Sequence, residues 1–123
     1  ALPILLTYRE TKRWRDLGTK AGAFLADMTD FYIRAYETTA PHLGGCGLHD
    51  PLAVGVAVDP TLVHVLDLNM KVDVEGPTRG RTIGNETRLN DPVTTMKAAV
   101  GVDVPRFLNE FMTRITALAE RAE

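Results

Sequence analysis

The chain has 123 residues, a formal net charge of −2, 45% apolar residues and a single cysteine. That length suits one domain or part of one, and the apolar fraction excludes a disordered polymer. Mixed acids and bases give no electrostatic case for nucleic acid or an anionic membrane, and one cysteine excludes an internal disulfide framework.

Leu2 to Thr7 is a short apolar run that reads as a buried strand. The chain opens directly on it, which reads as the middle of a longer sequence. Neither a secretion signal nor a run of ~20 apolar residues able to span a bilayer is visible. Tyr8 to Leu17 follows as a short charged helix with Trp14 and Leu17 on its apolar edge. Its basic residues are interspersed with Glu10 and Asp16, which reads as a solvated face rather than a nucleic-acid patch.

Gly18 ends that pattern and Thr19 caps the next. Ala21 to Thr38 is the longest helical reading, with Phe24, Leu25, Met28, Phe31, Tyr32, Ala35 and Tyr36 at three-and-four spacing. Phe24, Met28 and Phe31 read as core packing. Tyr32 and Tyr36, one turn apart at the helix end, read either as packing or as pocket lining, since buried phenols need partners. Pro41 stops the helix and Ala40 to Leu48 forms a loop.

The chain is organised around Gly44-Gly45-Cys46-Gly47-Leu48-His49-Asp50-Pro51. Glycine admits left-handed backbone and close approach to a ligand. Asp50 before Pro51 reads as an N-cap and first helical residue, opening a short buried helix to Val58. His49 then sits where a helix N-terminus carries partial positive charge. Cys46 reads as a small loop residue, with a modifiable thiol near the site as the alternative, and Gly55 as a point of close packing.

Beyond Asp59-Pro60 the period becomes two. Val63 to Glu75 reads as a half-buried strand, Gly76 to Gly80 as a turn, and Arg81 to Glu86 as an antiparallel return. Arg79 and Arg81 read as exposed turn arginines, with an anion contact as the alternative. Thr94 to Val102 is a further strand. Asp103 caps a last helix with Pro105 as its second residue and a stripe of Phe107, Leu108, Phe111, Met112, Ile115, Leu118 and Ala119.

Leu48-His49-Asp50-Pro51-Leu52-Ala53-Val54, ending in Val58-Asp59-Pro60, resembles the C-terminal signature of the inosine–uridine-preferring nucleoside hydrolases. So do Leu17-Gly18-Thr19 with Phe24 to Tyr36 upstream, and Val72-Asp73-Val74-Glu75 with Thr78-Arg79-Gly80-Arg81-Thr82 downstream. The resemblance implies an α/β fold: the C-terminal portion of a nucleoside hydrolase-like open-sheet domain, with helices and a short antiparallel hairpin. Residues 1–123 would form one partial domain, with exposed apolar surface covered by homo-oligomerisation or by a missing N-terminal segment.

It also implies chemistry. The family hydrolyses the N-glycosidic bond of ribonucleosides to free base and ribose, with calcium holding water and ribose hydroxyls; the single cysteine, Cys46, fits a reducing, cytoplasmic compartment. Carried over by position, His49 is the general acid that protonates the leaving base, facing away from the metal. Asp50 is a calcium ligand, and Tyr32 and Tyr36 bind substrate on the nucleobase side. The family's aspartate-rich motif and its asparagine and glutamate ribose-binding segment have no counterpart here, and one carboxylate cannot supply six to eight oxygens. The 123 residues alone are therefore expected to be inactive and to retain no calcium. The competing expectation is a non-catalytic ligand-binding or oligomerisation module that shares the fold.

Overall fold

The computed structural model describes residues 4–122, which fall into two compact units, 1–62 with 103–123 and 63–102. In the first unit, β1 (Leu5–Leu6) leads into α1 (Tyr8–Arg15) and the long α2 (Lys20–Thr39). A 3-10 turn over Pro41–Leu43 and β2 (Cys46–Gly47) precede α3 (His49–Val58), and a second 3-10 turn spans Pro60–Leu62. The last helix of this unit is α4 (Val104–Arg121), which follows the four strands of the second unit in the chain. Leu2 and Pro3 of the expected first strand lie outside the described residues; what remains of it pairs antiparallel with β2, Leu5 opposite Gly47 and Leu6 opposite Cys46.

Local chemistry sets the helix ends. Thr7 and Glu10 form a reciprocal capping box at α1: the Thr7 N–H donates to Glu10 Oε2 at 2.9 Å, and the Thr7 hydroxyl accepts from the Arg9 N–H. Glu10 is consequently buried, not part of the solvated face expected for it. Burial raises its carboxyl pKa, but hydrogen bonds from the Thr7 hydroxyl and N–H and from Arg9 outweigh that and hold it below the ordinary 4.5. Thr19 caps α2 as expected, accepting from the Gly22 N–H at 3.0 Å while its hydroxyl donates to the Ala119 carbonyl at 2.8 Å. Asp103 caps α4 through the Arg106 N–H, with Pro105 in the first turn where its missing N–H costs nothing.

The core collects Leu6, Trp14, Ala26, Ile33, Cys46, Leu48, Leu62, Phe107 and Met112. Trp14 anchors it at 1% exposure; its indole N–H donates to Thr116 Oγ1 at 3.0 Å and its ring meets Phe111 edge-on at 6.3 Å. Small residues bring the helices together. The buried stripe of α2 is Gly22, Ala26, Thr29 and Ile33, and a Cβ at Gly22 would strike the Trp14 carbonyl. The core role expected for Phe24, Met28 and Phe31 is therefore corrected: none belongs to the buried stripe, and they are 67%, 52% and 70% exposed. Leu118, placed in the α4 stripe from its spacing, is likewise exposed.

Two readings of α3 also change. The helix starts at His49 with Leu48 as its cap residue, so Asp50 lies in the first turn and is not the cap. No residue of α3 is fully buried, and Val54 and Val58 are exposed. Gly55 does mark close packing: a Cβ there would lie 3.0 Å from the Phe107 ring. Beyond α3, Arg106 bonds Asp59 and Thr61 Oγ1, tying the second 3-10 turn to the first turn of α4.

The second unit is built of antiparallel pairs. β3 (Val63–Leu68) pairs with β6 (Met96–Val102), with a register shift between His64 and Val65. β4 (Met70–Val72) pairs with β5 (Thr82–Gly84). The single half-buried strand expected over Val63 to Glu75 is thus two strands, split at Asn69. The Asn69 side chain is buried, donating to the Arg88 and Val93 carbonyls and accepting from Thr95. Because that amide satisfies backbone groups of the 85–95 connection, the chain changes partner there, and the alternation on either side belongs to different hairpins. Val65 and Leu66 are both exposed, so β3 lacks the buried face its alternation suggested. Helices plus short antiparallel strands match the expected mixed architecture.

Candidate active site

The site is built where β2 runs into α3. Gly44 ends the 3-10 turn with φ 68°, a left-handed conformation that favours glycine. The chain then drops into the core through Gly45, Cys46, Gly47 and Leu48, all buried, and emerges at His49 and Asp50, both exposed. Four buried residues thus hold the root of two adjacent polar side chains, which fixes where those side chains start.

His49 and Asp50 open onto a cleft of about 490 Å³, floored by Trp14, Phe111 and Ile115 and walled by Met28 and Tyr32 of α2. Asp50 is the one carboxylate among its lining residues. Tyr32 and Tyr36 stand edge to face with centroids 5.1 Å apart. The Tyr36 hydroxyl lies 3.4 Å from His49 Nε2. The fold thus brings all four expected site residues together: His49, Asp50 and Tyr32 on the cleft, with the Tyr36 hydroxyl against the imidazole. A hydrogen bond with Tyr36 foremost, then burial, pushes the Tyr32 phenol above its ordinary value, so it remains a neutral donor at physiological pH. Burial pushes the Cys46 thiol up, which keeps it protonated and fits the small-residue reading rather than a nucleophile.

Imidazole beside phenol, at the edge of an apolar cleft, can carry a proton to or from a bound molecule. Carboxylate on the same rim can accept hydroxyl hydrogens or contribute to a cation site. A complete calcium site is another matter. Among the described residues there is no group of three or more His, Cys, Asp or Glu side chains able to hold a metal ion. Asp50 alone does not meet the six to eight oxygens calcium requires. The residues present therefore do not fit the ion by themselves.

The cleft floor was not foreseen as such. Phe111 and Ile115 stand one turn apart on the apolar stripe of α4, the only signal the sequence carries for them. Arg79 and Arg81 are exposed in the second unit, as expected of turn residues. His42, in the 3-10 turn, is exposed and absent from the cleft lining.

The chain is 31% identical over 104 residues to an inosine-uridine preferring nucleoside hydrolase of Leishmania major, covering 84% of this chain and 32% of that protein. A solved structure of a purine-preferring ribonucleoside hydrolase from Gardnerella vaginalis superposes with a TM-score of 0.91 at 83% identity, covering 96% of this chain and 37% of that one. A plant nucleoside hydrolase superposes at 0.72 with 28% identity, covering 93% of this chain and 38% of its own. The chain thus spans about a third of the length of the relatives it matches. The family model described as inosine-uridine preferring nucleoside hydrolase matches residues 1–109, and the chain belongs to that family.

Proposed function

We propose that these residues are the C-terminal part of an enzyme that hydrolyses ribonucleosides to free base and ribose, with purine nucleosides preferred. The observation that carries the reading is His49 on the cleft rim, with Asp50 beside it and the Tyr36 hydroxyl 3.4 Å from its Nε2. The purine preference rests on 83% identity to a relative described as purine-preferring.

In the reaction the C1′–N bond breaks, the water oxygen bonds to C1′ and releases one proton to solvent, and the departing base nitrogen takes a proton. His49 is the donor of that proton and recovers one from solvent. A positioned acid of this kind contributes about 10²–10⁴-fold. Tyr32, on the cleft wall, and Tyr36, stacked edge to face against it, are assigned to the base side. Asp50 is one carboxylate of a calcium site whose other ligands lie outside these residues, and no step is assigned to it beyond that. A free, buried Cys46 supports a reducing, cytoplasmic setting.

The 123 residues by themselves are then inactive on inosine and uridine, with or without calcium. The test is a graft in which they replace the matching stretch of the Gardnerella vaginalis enzyme. The folded graft hydrolyses inosine; a folded but inactive graft, or hydrolysis by the 123 residues alone, contradicts the reading. A second reading, a non-catalytic self-associating module, is favoured by the exposed Phe24 and Phe31 of α2 and gains if the graft folds without activity.

A further inference from the structure

Gly47 lies in β2 opposite Leu5, buried, with a backbone that any residue can adopt. Nothing in its conformation calls for glycine. Its surroundings do: a Cβ built there would lie 2.6 Å from His49 Nε2, 3.1 Å from His49 Cδ2 and 2.9 Å from the Tyr36 hydroxyl. The imidazole and the phenol meet across the space a side chain would fill.

The two neighbouring glycines differ. Gly44 has its left-handed backbone and open space where a Cβ would go. A Cβ at Gly45 would meet the Leu6 carbonyl, a fixed part of the β1–β2 pair. Of the three, only Gly47 is obstructed by the far ends of two side chains, and those ends belong to the site. His49 is exposed and can swing away, so relief of the clash costs the fold little while moving the site's one imidazole.

We propose that Gly47 is a positioning residue: its missing side chain sets the His49 imidazole against the Tyr36 hydroxyl at the cleft rim. This rests on the reading of His49 as the proton donor. A displacement of about 1 Å at a catalytic group costs on the order of 10²-fold in turnover.

Gly47→Ala in the 123-residue chain tests the geometry. The expected result is a melting temperature within about 2 °C of the parent, with loss of the nuclear Overhauser contact between the His49 and Tyr36 rings. Gly45→Ala, clashing with backbone, instead lowers the melting temperature. In the graft, Gly47→Ala lowers kcat on inosine about 10²-fold with KM little changed. A retained ring contact, an unchanged kcat beside a crippled His49→Ala, or loss of the fold in Gly47→Ala overturns the proposal. If His49→Ala itself leaves turnover intact, the reading of the site falls, and the role given to Gly47 in the reaction falls with it.

Discussion

Trp14 floors the cleft, and its one polar atom has one partner, so Thr116→Val probes the scaffold without removing the probe. The indole is 1% exposed and its N–H donates to Thr116 Oγ1 at 3.0 Å. Valine keeps the shape of threonine and removes the acceptor. A buried donor left unpaired costs about 1–3 kcal/mol. With a urea slope of about 1–3 kcal/mol per molar, the unfolding midpoint falls by roughly 1 M. Trp14 is the chain's only tryptophan, so its fluorescence follows unfolding directly. The slope stays constant if the native and unfolded states keep their exposed areas. Thr113→Val, exposed on the same helix, stays within about 0.5 kcal/mol of the parent. A Thr116→Val chain as stable as Thr113→Val would refute the reasoning, because the indole N–H would then have found water or another acceptor.

Three further outcomes are expected. Glu10 has its carboxyl pKa lowered in the folded state, so it adds stability that is present above its unfolded value and is lost as pH falls through the folded one. Glu10→Gln is accordingly less stable than the parent at pH 7, and the gap in urea midpoint closes as the pH drops below the ordinary glutamate range; a constant gap down to pH 2 contradicts this. Gly55→Val places branched carbons where the Phe107 ring already lies 3.0 Å from a Cβ, and costs about 1–3 kcal/mol by overpacking, read by thermal melting; an unchanged melting temperature contradicts the packing. Phe24→Glu with Phe31→Glu changes stability by less than about 0.5 kcal/mol per site, because both rings are exposed. Loss of the fold in the double variant would contradict the exposed placement of these two rings.

The sequence carried the ends of the elements better than their faces. Thr19, Pro41, Asp103 and Pro105 each act through chemistry local to a few residues, and the helices they bound lie where those residues put them. The inward face of α2 could not be read the same way. Its stripe of Phe24, Met28 and Phe31 has the periodicity of a core, yet Gly22 and Ala26 do the burying because α1 approaches too closely for larger groups. Periodicity reports that a face is apolar, not which partner covers it. Asn69 misled for a related reason: a polar residue fits a period-two pattern whether it points to water or, as here, into a net of backbone groups.

Within the site, His49 and Asp50 were legible because a glycine run, a histidine and an Asp-Pro pair form an uncommon string. Their meeting with the two tyrosines followed from the helix ending beside that string. Gly47 was not legible as a positioning group, since its contribution is the absence of atoms beside side chains that come from elsewhere in the chain. The cleft floor needed the fold, because Trp14 and Phe111 are far apart in sequence.

The proposed reaction depends on His49 giving its proton to the departing base. The direct measurement is turnover by the graft, with and without His49→Ala, on inosine and on a riboside whose aryl leaving group departs without protonation. A loss of about 10²–10⁴-fold on inosine with little loss on the aryl riboside is the predicted result; equal losses on both, or none on inosine, would contradict it.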